Sequence, residues 1–420
     1  MLKKIIQNSL ILSIGLLLGR FSGFFREIII ARKLGIGEVS DQIILMLAIP
    51  DLLNGLLITG AVSAILIPTL ARFPEETLNI INEFTKKLLI ITILSYIIIS
   101  VILFKFYNGI LFFSLILSLL SVFPNIFSFI SSSYLQYEKR FTKQSLGTLV
   151  FNSIIIISLL LGAIKIYLAV GIIIASTGRM LWIMSDLKHA TYKKIFNLKF
   201  YNNKIFISYS ILIFMIIANG LVFIQPSIDK IFSSFMTKGS LSIFSYAEKI
   251  YLLPVSVFLT TYAIVLFSDA ARLIAEKYFI QAHQLLIKSI LLNIIISLLV
   301  AIVMYYYSHE IVSIIFFSAN FSKENIDEIS HILIGFLPVV VFAGTNSMLL
   351  KMLFSYEKYN IIMYFSIFII ILKVILDLLL VIFNISIYYM AISTSFLSIV
   401  SVIILGGSYF YTYKNKISEE

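Results

Sequence analysis

The sequence predicts an all-α integral membrane protein of about twelve transmembrane helices in two six-helix lobes. Three observations carry this reading: the composition, the regular recurrence of apolar spans, and the placement of the basic residues. Of 420 residues, 60% are hydrophobic and 13% charged, with a mean hydropathy of +1.03. A soluble domain carries roughly 25% charged residues. No polar stretch is long enough to fold alone, so the bilayer is the solvent for nearly the whole chain.

A helix needs about 20 mostly apolar residues to cross the hydrocarbon. Twelve segments of that kind lie between charged or turn-forming breaks, at roughly 7 to 32, 41 to 71, 88 to 106, 110 to 135, 145 to 164, 166 to 186, 205 to 237, 241 to 270, 285 to 307, 329 to 355, 360 to 383 and 386 to 411. Lys3 and Lys4 before an apolar run resemble a secretory signal, but no small-x-small cleavage site follows, so the first span reads as a permanent helix.

Lysine and arginine set the orientation. With the N-terminus inside, the inner segments hold Lys3, Lys4, Arg72, Lys86, Lys87, Lys139, Arg140, Lys143, five lysines between 188 and 204, Arg272, Lys277, Lys288, Lys358, Lys414 and Lys416. The outer segments hold Lys33, Lys105, Lys165, Lys238 and Lys323. This asymmetry of about nineteen to five places both termini in the cytoplasm. It also accounts for most of the net charge of +11, so the basic character is no argument for nucleic acid. The longest inner loop, about 187 to 204, divides the chain into lobes 1–200 and 201–420, the layout of a duplicated transporter.

Charged groups in hydrocarbon normally face a protein interior or a water-filled cavity, because even the lenient insertion scale sets their cost at about 2.5 to 3.5 kcal/mol. Span one carries Arg20, Arg26 and Glu27; Arg20, Gly23 and Glu27 share a helix face, with Arg26 roughly 120° away. Span two carries Asp41, Asp51 and Asn54, with Pro50 freeing backbone groups that the interior must satisfy. Span seven brings Gln225, Pro226, Asp229 and Lys230, and span eight brings Glu248 and Lys249 before Pro254. Span eleven places Lys373 and Asp377 one turn apart in otherwise apolar sequence. Structural ion pairs that lock helices together are the plain alternative for any one of these residues.

Catalytic readings find little support. There are no cysteines, which excludes disulfides and thiolate chemistry. His189, His283, His309 and His331 are scattered, and no H-E-x-x-H, G-x-S-x-G or phosphate-binding G-x-x-x-x-G-K-[ST] pattern is present. The largest outer segment, about 308 to 328, is short for a polymer-forming enzyme.

Gly19-Arg20-Phe21-Ser22-Gly23-Phe24-Phe25-Arg26-Glu27, then Ala31 to Gly35, Asp41, Ile49 to Leu53, Gly60 to Ser63 and Ile67-Pro68 together resemble the opening of the MurJ/MviN family of lipid II flippases. Tyr246-Ala247-Glu248-Lys249 with Pro254 is similar to that family's eighth helix, and the plan fits the core of the wider multidrug and polysaccharide exporter superfamily. Typical members have fourteen helices, so the two that hold the polyprenyl tail find no match among the twelve spans.

The resemblance implies a MATE-like, V-shaped transporter with a basic central cavity for a polyprenyl-pyrophosphate head group. Arg20 and Arg26 match two cavity arginines and Asp41 an acidic gate residue. A third cavity arginine is Asn54 here, and that of the eighth helix is Lys249, beside Glu248; lysine keeps the charge and loses the planar fork. Some members bind sodium through acidic, amide and hydroxyl side chains on helices seven, eleven and twelve. Asp229, Asp377 and Thr394 match those roles, with Lys373 where the amide would be.

The expectation is therefore a lipid II flippase of the bacterial cytoplasmic membrane, monomeric, with the polyprenyl-linked lipid and membrane lipids as its partners and no nucleic acid. No cofactor is expected; sodium, protons or the membrane potential would drive it. A pyrophosphate carries about two negative charges, and its outward movement is favoured by about 2.3 kcal/mol per charge per 100 mV. The alternatives are a polysaccharide-repeat flippase and a cation-coupled multidrug exporter, whose cavity would favour carboxylates over Arg20, Arg26 and Lys249.

Overall fold

The computed structural model describes residues 2–59, 61–162, 165–188, 209, 212–213, 216, 221–256, 270, 272–274, 276–316 and 320–418. Among these residues the regular structure is helical, and nine helical stretches are long and apolar enough to cross a membrane. The spans read over 205 to 237 and 241 to 270 are described as Leu221–Ser233 and Ser240–Pro254; much of the rest of both lies outside the described residues.

The chain divides into two compact units. The first comprises Met1–Ile30 and Gln42–Ile231, and the second Ala31–Asp41 and Phe232–Glu420. In chain order the helices are α1 (Leu2–Leu34), α2 (Glu38–Asn54), α3 (Ala61–Arg72), α4 (Thr77–Phe106), α5 (Gly109–Leu119), α6 (Val122–Tyr137), α7 (Thr142–Leu161), α8 (Lys165–Met184) and α9 (Leu221–Ser233). They continue as α10 (Ser240–Pro254), α11 (Phe279–Tyr306), α12 (Ser308–Phe316), α13 (Lys323–Gly335), α14 (Leu337–Ser355), α15 (Tyr359–Ile382) and α16 (Tyr388–Ser418).

Three spans that the sequence suggests as single helices are broken. The second divides into α2 and α3 around a π-helical turn, Gly55–Thr59. Pro50 does not end α2: it removes one helical donor, the helix runs on to Asn54, and the wider turn follows at the glycine. The fourth divides at Leu120 and Ser121, with Pro124 in the first turn of α6, where its missing N–H costs no helical bond. The tenth starts earlier than its hydropathy suggests and divides into α13 and α14 at Phe336, with Pro338 in the first turn of α14.

Of the segment near 308 to 328 that the sequence suggests as an outer loop, the described residues include α12 and the start of α13. A further boundary is corrected in α4. The sequence reading leaves Lys86 and Lys87 in a loop before residue 88, yet the helix starts at Thr77 and Lys87 is buried within it. Its ammonium meets Glu83, one turn earlier, at 2.6 Å, and faces the Tyr209 ring at 5.1 Å. Pairing removes the cost that a hydropathy window assigns to each charge separately.

In the first unit α8 packs against α5, α6 and α7, and α6 against α3 and α4. Small residues permit the closest approaches, as expected where lipid tails provide no hydrophobic drive between helices. A methyl group on Gly15 of α1 would lie 2.2 Å from the Ser145 hydroxyl of α7.

In the second unit α14 packs on α16 and α11, and α15 on α16, around a core that includes Leu286, Met348, Met352, Ile362, Leu397 and Leu405. Ile98, Val101 and Phe104 of α4 and Leu291, Ile295 and Leu299 of α11 are exposed, as suits surfaces solvated by acyl chains.

Candidate functional site

Within the first unit the polar face of α1 is organised around Arg26, whose side chain is 9% exposed. Its Nη2 donates to Glu27 Oε1 at 2.8 Å and its Nη1 to Asn152 Oδ1 of α7 at 3.0 Å. Asn152 in turn donates through Nδ2 to Ser22 Oγ at 2.9 Å and to the Gly19 carbonyl at 3.3 Å. Gly23 lies beside that amide, and a methyl group there would meet Nδ2 at an ordinary contact distance of 3.4 Å. The guanidinium is thus held on two edges, by a carboxylate and by an amide whose other half is bound to α1. Charge-assisted bonds of this kind orient a cation more firmly than solvent would.

Arg20, six residues earlier on α1, is half-buried. On α2, Asp51 is exposed and Asn54 half-buried, the latter immediately before the π-helical turn. Asp229 is buried in α9.

Two residues of this unit were not singled out from the sequence. Asn152 was hidden among the aliphatics of span five. Arg179 of α8 lies within span six, seven residues before its end. It donates from Nη2 to Asn125 Oδ1 of α6 at 2.7 Å. The Phe129 and Phe151 rings face its guanidinium at 4.9 and 5.4 Å.

Within the second unit Asp41 closes the N-terminus of α10. Its Oδ2 accepts from the Gly239 amide at 2.6 Å and its Oδ1 from the Ser242 amide at 2.7 Å. Gly239 holds φ at +94°, a left-handed conformation that glycine adopts without the steric cost of a side chain. A carboxylate at a helix N-terminus satisfies donors that have no helical partner and complements the dipole.

Beside it Glu38 meets Lys238 at 2.6 Å, and that hydrogen bond, then the charge, raises the lysine above its ordinary range. Tyr246 donates to the Gly35 carbonyl at 2.9 Å, tying the same short segment to α10 a second time. Further along α10, Glu248 is fully buried and Lys249 half-buried.

The third cluster joins α15 to α16. Lys373 and Asp377 are both 0% exposed, with Nζ 2.9 Å from Oδ1. Nζ also donates to Ser393 Oγ at 2.9 Å and to Thr394 Oγ1 at 2.8 Å, and Ser393 donates to Asp377 Oδ1 at 3.2 Å. Three of the four residues considered for ion coupling therefore converge, and Ser393 joins them. Asp229 belongs to the first unit. Among the described residues no three His, Asp or Glu side chains gather as a metal site.

Apolar helices long enough to cross a membrane many times, interrupted near prolines and glycines and carrying buried charged side chains, define a multi-pass membrane protein. A model of the lipid II flippase MurJ family matches residues 30–418, and the chain belongs to that family. It is 26% identical over 387 residues to a probable lipid II flippase MurJ of Aquifex aeolicus (strain VF5), covering 84% of this chain and 73% of that one.

Among solved structures it resembles lipid II flippase MurJ in an inward closed conformation, with a TM-score of 0.75 at 21% identity, over 97% of this chain and 91% of the other. It also resembles a multidrug resistance MATE family transporter of the MOP superfamily. The inward-facing form gives a TM-score of 0.67 at 15% identity, over 97% of this chain and 94% of that one. The outward-facing form gives 0.66 at 15%, over 98% and 96%.

Proposed function

We propose that this chain moves lipid II, a polyprenyl-pyrophosphate-linked cell-wall precursor, from the inner to the outer leaflet of the bacterial cytoplasmic membrane by alternating access, for peptidoglycan synthesis. The family match over residues 30–418 carries this reading. In it, six-helix lobes 1–200 and 201–420 alternate around the head group, and Arg20, Arg26 and Lys249 supply the cations that meet the pyrophosphate. Asn54 and Glu248 complete the polar surface, and Asp41 acts at a gate. Glu27 and Asn152 bear on the assignment of Arg26 because they fix the orientation of its guanidinium.

Coupling follows from the third cluster. The Lys373 ammonium occupies the place among Asp377, Ser393 and Thr394 oxygens that a monovalent cation would otherwise take. In this reading the chain needs no sodium there, and Asp229 has no ion to bind. The inside-negative potential favours the outward passage of the two phosphate charges by about 2.3 kcal/mol per charge per 100 mV. The protein works as a monomer with both termini in the cytoplasm. Because the chain contains no cysteine, a single cysteine added after residue 418 can be labelled uniquely from either side to check that orientation.

The deciding experiment is lipid II translocation by purified protein in vesicles, comparing wild type with Arg26→Ala. The variant should insert normally and lose flipping at least a hundredfold. Undiminished flipping by well-inserted Arg26→Ala would remove Arg26 from the cavity, and wild-type protein that moves another polyprenyl-linked sugar but not lipid II would overturn the substrate.

A further inference from the structure

Between α6, α7 and α8, inside the first unit, lies a cavity of about 80 Å³. A single water needs roughly 10–15 Å³, so the space has room for several waters or for one polar group of phosphate size. Its walls include Ser128, Ser132, Gln144, Thr148 and Arg179. Gly147 opens the passage beside the arginine, because a methyl group there would stand 3.4 Å from Arg179 Cγ and 2.9 Å from Ile183 Cδ1.

The chemistry of this wall is unbalanced. Arg179 spends one edge on Asn125 and packs against two phenylalanine rings, while its buried Nε has no hydrogen-bond partner among the described residues. No described carboxylate pairs with it; the acid that acts on it through space is the exposed Asp51. Arg140, in the turn just before α7, is by contrast bound to both Glu138 and Asp186. Gln144 adds a second imbalance, since its Oε1 and its Nε2 are both buried without a partner. Each buried polar group left in that state costs about 1–3 kcal/mol, and native structures seldom keep several together.

We propose that this cavity is a binding site for a phosphate-class oxyanion. Such a group accepts from Arg179 Nε, Gln144 Nε2 and the hydroxyls of Ser132 and Thr148, and a protonated phosphate oxygen donates to Gln144 Oε1. A carboxylate satisfies the donors and leaves that amide oxygen unmatched. The phosphate can arrive as the free ion or as the head of a membrane lipid, and the chemistry at the wall is the same. The site is separate from Arg20 and Arg26 in residues and goes beyond the transport reading, since it is defined by binding and not by flipping.

The test is the melting temperature of purified full-length protein. Inorganic phosphate is compared with chloride at equal ionic strength, and in a second arm dihexanoyl phosphatidate with dihexanoyl phosphatidylcholine. A ligand that binds only the folded state stabilises by RT ln(1 + [L]/Kd), so wild type should melt higher with at least one phosphate source. The arm that responds names the source. Arg179→Gln and Gln144→Leu should each weaken the apparent affinity at least tenfold. Gln144→Leu keeps the judgement open if Arg179→Gln folds poorly, since it removes orphaned polar atoms at similar volume. Wild-type indifference to both sources, or an undiminished shift in Gln144→Leu, would overturn the site.

Discussion

Lys373 and Asp377 face each other one turn apart on α15, ammonium to carboxylate at 2.9 Å, with neither side chain exposed. Removing one member of such a pair strands the other, at a cost of about 3–5 kcal/mol. Lys373→Ala should therefore melt well below wild type. Lys373→Asn leaves Asp377, Ser393 and Thr394 oxygens around a space of cation size, and should recover stability in sodium but not in choline at equal ionic strength. Melting curves of both variants and of wild type in the two salts decide the matter. A wild-type protein stabilised by sodium, or a Lys373→Asn variant indifferent to it, would reduce the pair to an ordinary salt bridge.

Asn152 is predicted to position Arg26 without bearing charge itself. Asn152→Leu deprives Arg26 Nη1 of its acceptor and Ser22 of its donor, and should lower stability by about 1–3 kcal/mol. In the flipping assay it should reduce transport less than Arg26→Ala does, while Asn152→Asp keeps the acceptor and most of the rate. Equal loss in Asn152→Leu and Arg26→Ala would mean that the amide touches the substrate directly.

Asp41 should behave as a helix cap. Asp41→Ala leaves the amides of Gly239 and Ser242 unpaired at the start of α10, a loss on the scale of about 0.5–2 kcal/mol for caps. Asp41→Asn retains one acceptor and should fall between wild type and alanine in a thermal melt. If both variants melt with wild type while transport fails, the residue acts through the gate alone.

Gly344 fixes the separation of α11 and α14. A methyl group added there would lie 2.3 Å from Asn293 Oδ1, so Gly344→Ala must force the helices apart or turn the amide away. Overpacking of this kind costs about 1–3 kcal/mol. Asn293→Ala in the same chain should restore much of it, because the clashing atoms are then absent. A double variant no more stable than Gly344→Ala would show that the strain lies in the backbone.

The membrane fold was legible because composition and span length depend on few residues at a time. Breaks within spans were harder to read. Pro50 marked the second span as irregular, but the turn opens five residues later at Gly55, where the backbone yields more readily. Lys87 was misplaced for a different reason: its acid partner sits a turn away, and windowed hydropathy adds two penalties where the folded helix has one neutral pair.

The candidate site was legible as a list of charges and not as geometry. Helical projection separates neighbours such as Arg26 and Glu27 by about 100°, yet a long side chain crosses that angle and the two meet. Asn152, Ser393 and Arg179 were overlooked because a lone polar residue in an apolar helix declares its purpose only through a partner on another helix.

The eleven residues Ala31–Asp41 belong with the half of the chain that is made last. Asp41 meets Gly239, Tyr246 meets Gly35, and Arg32 donates to the Ile315 carbonyl, all across about 200 residues or more of sequence. At a synthesis rate of about 5–20 residues per second, the carboxylate of Asp41 waits on the order of ten to forty seconds before its amides emerge. During that interval the ribosome delivers, among the described residues, the helices from α3 to α9. Variants at Asp41 or Gly239 should therefore register first as a loss of yield during biogenesis.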